Sequence, residues 1–158
     1  MHTDEESRLL WEVRGAGQVR GFDLTTLQEK VSFQVPTAVL KHQDSVFHTC
    51  HCFSSSSSSS KMSVSKQYLA VGTSDGRIFV WDLQRGVLVS TLTLPSVPHH
   101  AVFSSDSLSL FICLKSSSCV HKFEISSGKE TLNLKCGKKY VNLIALNPKA
   151  QVIAVASR

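Results

Sequence analysis

Residues 77–83 read RIFVWDL, and the pattern alternates: Ile78, Val80 and Asp82 fall on one side of an extended chain, Phe79, Trp81 and Leu83 on the other. Apolar residues on both sides predict a strand buried between neighbouring sheets rather than one facing water. Similar runs recur along the chain. RLLWEV, QYLAVGT and LSLFICL each precede a strand of the RIFVWDL kind, and KVSFQV, GVLVSTL and KETLNL each follow one. Turn chemistry separates them, with Asp75-Gly76 before RIFVWDL and the polar clusters SSDS (104–107) and NPKA (147–150) further on. Short apolar strands joined by such turns predict a β-meander.

The runs fall into register with one another. GQVRGFDL (17–24), GRIFVWDL (76–83) and SCVHKFEI (118–125) align with Phe22, Trp81 and Phe123 at one position and an acid directly after it. Trp81 and Phe123 are 42 residues apart, the length of one four-stranded repeat unit. Phe22 and Trp81 are 59 apart, and the Ser-rich segment FSSSSSSSKMSVSK accounts for the excess as an insertion. The expected units are a partial one at 8–35 with three strands, a full one at 46–93 carrying the insertion at 53–66, a full one at 100–134, and a partial one at 141–157 with two strands.

The stretch TSDGRIFVWDL, with its closing Trp-Asp, resembles the repeat of the WD40 family of β-propellers. The other two copies carry Phe22-Asp23 and Phe123-Glu124 in its place. The resemblance implies an all-β fold, a propeller fragment of about three blades plus partial blades, with the ring not closed; the chain then reads as part of a longer protein. In that family a loop histidine, a Ser or Thr, an Asp and the Trp form a buried hydrogen-bonded tetrad. The resemblance places this tetrad on His42, Thr73 or Ser74, Asp75 and Trp81, although Lys41 stands where the family has Gly. Its role would be structural, and Asp82 is then no catalytic acid.

The net charge of +5 is modest and the lysines are spread, so a dedicated nucleic-acid face is not indicated. The opening MHTDEESRLL lacks the pattern of a secretory signal, and no apolar run reaches the roughly 20 residues that span a bilayer. Five cysteines without disulfide-domain spacing point to reduced thiols. HTCHCF puts His48, Cys50 and Cys52 on one strand face, but zinc needs four converging ligands and no second pair follows at suitable spacing. His99-His100, after Pro98, fall in the expected loop before the third unit, without a recognisable nucleophile or acid. The serine run 54–60, beside Lys61 and Lys66, has the composition of a phosphorylation cluster or of a neutral surface insertion.

These features imply no enzyme, no metal, no cofactor and no small-molecule substrate. The expectation is a scaffold whose partners are other protein subunits of a complex, with weak or indirect contact with RNA and no membrane. The layout is similar to the amino-terminal propeller of a WD-repeat subunit of the nucleolar small-subunit processome, which implies ribosome biogenesis, rRNA processing and a nuclear, nucleolar location. The alternatives are an adaptor elsewhere in the cell, as a ubiquitin-ligase receptor or in trafficking, and a peptide-recognition propeller.

Overall fold

The computed structural model describes residues 2–4, 9–14, 18–35, 46–54, 67–137, 139–147 and 152–157. Their regular structure consists of fourteen strands in four antiparallel sheets. The first sheet holds β1 (His2–Asp4), β2 (Leu9–Arg14), β3 (Gln18–Asp23) and β4 (Glu29–Gln34). The second holds β5 (His48–Phe53), β6 (Tyr68–Thr73), β7 (Arg77–Asp82) and β8 (Val87–Thr93). The third holds β9 (Pro98–Phe103), β10 (Ser109–Leu114), β11 (Cys119–Glu124) and β12 (Glu130–Lys135), and the fourth only β13 (Val141–Asn147) and β14 (Val152–Ser157). Strand order follows chain order in every sheet, and none closes on itself. The fold is all-β, an open set of meander sheets of partial-propeller type. The short β1, paired to β2 through His2, Thr3 and Asp4, adds a strand ahead of the three expected over 8–35.

The chain divides into two compact units, Met1–His48 and Thr49–Arg158. In the first, Trp11 is buried and stacks on Phe33, ring centroids 6.0 Å apart. Gly21 on β3 makes room for that indole: a Cβ there would stand 3.0 Å from Trp11 Cζ3.

In the second unit the sheets bury their faces against one another. Cys50, Ala70, Ile78, Val80 and Leu92 of the β5–β8 sheet join Ala101, Phe103, Leu110, Ile112 and Phe123 of the β9–β12 sheet in one core. The opposite face of the β9–β12 sheet sends Phe111, Cys113 and Val120 against Val141 and Ile144 of β13. All six residues of β10 are buried, which is the physical content of the unbroken apolar run LFICL. Each large side chain so covered contributes about 1.5–3 kcal/mol relative to exposure.

The internal repeat is visible in pairing as well as in sequence. In three sheets the closing acid sits opposite the first residue of the preceding strand: Leu9 with Asp23, Tyr68 with Asp82, Ser109 with Glu124. The aromatic sits opposite a leucine: Leu10 with Phe22, Leu69 with Trp81, Leu110 with Phe123. On its other side the same strand shifts register at the aromatic every time, between Gly21 and Phe22, Val80 and Trp81, and Lys122 and Phe123. The extra residue lies on the fourth strand each time, Lys30, Val89 and Thr131, so a β-bulge opposite each aromatic bends that strand.

Candidate functional site

The acids that close the third strands hold turns. Main-chain oxygens of Asp23, Asp82 and Glu124 accept from the amides of Leu27, Gly86 and Gly128 at 2.8, 2.9 and 2.9 Å. Those three residues, each four positions past its acid, have φ of 55°, 65° and 66°, the left-handed conformation that closes the turn. The carboxylates cap the loops from inside. Asp23 Oδ1 accepts from the amides of Thr25 and Thr26, and Asp82 Oδ1 from those of Gln84 and Arg85. Glu124, one methylene longer, instead takes the Ser127 hydroxyl at 2.6 Å. Hydrogen bonds from Lys30, then from the Thr26 and Thr25 amides, hold the Asp23 carboxyl far below the usual carboxylate range.

A second polar cluster surrounds Asp75. The buried Thr73 hydroxyl donates to Asp75 Oδ1 at 2.6 Å, while Arg77 Nε donates to Oδ2 at 2.7 Å and its terminal nitrogen reaches the same oxygen. Burial pushes the Asp75 carboxyl up, but the bonds from Arg77 and Thr73 together outweigh it and hold it below its ordinary value. The Arg77 guanidinium also lies 5.3 Å from the Phe79 ring centroid. Of the residues expected to form the tetrad, Thr73 and Asp75 are bonded to each other, Ser74 is half-buried beside them, Trp81 is buried at the far end of β7, and His42 lies outside the described residues. Arg77 escaped sequence reading, although an arginine two residues past an aspartate in a tight turn is a plausible ion-pair signal.

Ser117, His121 and Glu130 form a hydroxyl–imidazole–carboxylate chain. Ser117 Oγ lies 3.3 Å from His121 Nε2, and His121 Nδ1 lies 2.8 Å from Glu130 Oε1. With Nδ1 protonated toward the carboxylate, Nε2 accepts the serine proton, the order found in nucleophilic triads. Here the serine oxygen also accepts the Cys119 amide at 3.1 Å and the imidazole is buried, so the chain ties the β10–β11 turn to β12. Sequence reading missed it because the three residues belong to a turn and two different strands.

Cys50 is buried and Cys52 packs against the same core. Burial raises the Cys50 thiol to about 11, the Cys113 thiol to about 12, and Cys52 well above its ordinary value. Thiols so protonated are poor ligands and poor nucleophiles. Among the described residues no group of three His, Cys, Asp or Glu could hold a metal ion. His99 and His100 lie within β9 rather than in the loop expected to precede it. His100 is half-buried, and its Nδ1 accepts the Ile144 amide of the next sheet at 3.4 Å.

Ser54, the first of the serine run, is a fixed structural residue. Its hydroxyl accepts the Tyr68 amide at 2.8 Å and its amide donates to the Tyr68 carbonyl at 2.9 Å. Ser104 does the same for Ser109, so the insertion occupies the loop between the first and second strands of its sheet. The remaining serines, with Lys61 and Lys66, lie outside the described residues, as does most of NPKA.

No family model matches this chain, and no curated protein matches it either.

Proposed function

We propose that the chain is a non-enzymatic scaffold of WD40 type for protein–protein or ribonucleoprotein assembly, serving ribosome biogenesis and pre-rRNA processing in the nucleolus. The observation that supports the scaffold role is the employment of its polar side chains. Asp23, Asp82 and Glu124 cap loops, Asp75 orders a turn through Thr73 and Arg77, and His121 ties a turn to a strand. Groups committed to backbone geometry make a stiff platform whose edges and loops are available to partners. Exposed apolar side chains lie along the outer strands, with Val87 and Val89 on β8 and Leu132 and Leu134 on β12.

The nucleolar assignment rests on the layout: a degenerate first unit, an insertion inside the second, and a net charge of +5 compatible with an RNA-rich particle. Affinity capture of the tagged full-length protein from cells should recover small-subunit processome proteins and pre-ribosomal RNA. Recovery of ligase or coat subunits alone would replace this assignment with an adaptor role.

A further inference from the structure

We propose that one end of the unit Thr49–Arg158 binds the phosphate backbone of single-stranded RNA through Lys115, Lys135 and Lys139. These lysines are scattered in the sequence, and the meander gathers them. β9 and β11 begin, and β10 and β12 finish, at the same end of their sheet, as the pairings of Leu114 with Pro98 and Cys119 with Lys135 fix. Main-chain bonds join the connections there into one surface. The amides of Lys115, Cys136 and Val141 donate to the carbonyls of Val97, Ser118 and Ser117 at 2.8, 2.9 and 2.9 Å. Lys115, Lys135 and Lys139 are all exposed and take part in none of the ion pairs found among the described residues. Adjacent strands lie about 4.8 Å apart, so the ends of β10 and β12 are separated by roughly 10 Å, within reach of one polyanion.

No free carboxylate opposes the lysines. The stretches 94–100, 114–119 and 135–141 contain neither Asp nor Glu among the described residues. Asp75, at the same end of the neighbouring sheet, is taken up by Thr73 and Arg77. The unit's remaining described acids belong to the other end and are employed there: Asp82 and Glu124 hold turns, Asp106 accepts the Ser104 hydroxyl, and Glu130 meets His121. Charge is thus polarised along the strands. Reading duplex DNA takes a helix or ribbon that enters a groove, whereas this end offers only connections between strands, which suit a flexible single strand. The exposed ring of His99 and that of Tyr140, 57% exposed beside Lys139, present faces on which bases stack. An acidic peptide would use the lysines and leave those rings without a role. The choice of RNA deepens the ribonucleoprotein reading above and rests on it; the placement of the charges does not.

Fluorescein-labelled oligouridine titrated with the full 158-residue protein, followed by anisotropy, tests the proposal. Affinity should fall with salt, with a slope of log K against log salt of about −2 for three neutralised phosphates. Lys115→Gln, Lys135→Gln and Lys139→Gln together should weaken binding at least tenfold and flatten that slope, with the thermal melt unchanged. Arg85→Gln with Lys129→Gln, in exposed turns at the other end, should change affinity less than twofold. Tyr140→Ala should weaken binding several-fold and keep the slope. Equal losses in both sets of charge variants, or binding of a polyglutamate peptide as tight as that of the RNA, would overturn the proposal. Capture of processome proteins by a chain that binds no oligouridine would also overturn it and leave the scaffold reading standing. Oligouridine binding lost in the triple variant, without such capture, would support this surface and remove the nucleolar assignment.

Discussion

Gly72 on β6 sits directly against Cys50 of β5: a Cβ added to the glycine would stand 2.7 Å from the Cys50 sulfur and 2.9 Å from Pro98 Cγ. Three strands from two sheets converge there, and the Pro98 ring cannot swing aside. Gly72→Ala should therefore destabilise the protein by about 1–3 kcal/mol through overpacking. Urea unfolding followed by tryptophan fluorescence measures it, and an unchanged midpoint would contradict the close approach.

The turns that follow Asp23, Asp82 and Glu124 differ in the residue that carries positive φ. Gly86 and Gly128 adopt positive φ without penalty, whereas Leu27 does so with a Cβ and with its side chain 68% exposed. Leu27→Gly should stabilise by about 0.5–1 kcal/mol, the left-handed penalty less the entropy that glycine adds to the unfolded chain. Gly128→Leu should cost about 1–2 kcal/mol. Opposite signs in thermal melts would confirm that the loops are equivalent.

His100 makes stability depend on pH near neutrality. Burial, and then the neighbouring His99, push its imidazole below the ordinary 6.5. The folded state favours the neutral ring, whose Nδ1 accepts the Ile144 amide. Its contribution is therefore complete above pH 6.5 and is lost as pH falls from there through the lower folded value. His100→Gln should flatten the difference in urea midpoint between pH 7.5 and pH 5.5 relative to the unmodified chain. An identical pH response in both would remove His100 from this role.

Ser117 should not behave as a nucleophile despite its histidine and glutamate neighbours. A fluorophosphonate probe is expected to leave it unmodified by mass spectrometry, and Ser117→Ala should cost about 1 kcal/mol of stability as a lost hydrogen-bond partner. Labelling of Ser117, abolished by His121→Ala, would make the protein an enzyme.

The parts of this fold that could be read from the sequence are those that side-chain alternation encodes. RIFVWDL announced a strand buried on both faces, and Ile78 and Phe79 lie in the interior. The spacing of Phe22, Trp81 and Phe123 located the repeat, and the serine run located the long connection. Backbone features were silent. The register shift opposite each aromatic leaves no common side-chain signature, because the extra residues are Lys30, Val89 and Thr131, which share no chemistry. Leu27 hides its equivalence to Gly86 and Gly128 because nothing in a leucine announces positive φ. β1 is three residues long, too short for an alternation to show. Around Asp75, the Thr73 bond could be expected from the motif, but the Arg77 contact depended on how the turn aims a long side chain. The Ser117–His121–Glu130 chain needed the β11–β12 pairing to exist before its members could meet.

Because β10 turns Ile112 toward one neighbour and Cys113 toward the other, the two interfaces of its sheet carry separate native reporters. Cys50 looks out on the seam with β5–β8, and Cys113 on the seam with β13. With Cys52, Cys119 and Cys136 replaced by serine, the rate at which each remaining thiol meets an aromatic disulfide reagent would time the parting of its own seam. Cys113 should react first, since among the described residues the seam it faces is closed by β13 and β14, and the difference between the two rates would chart the order in which the stack comes apart.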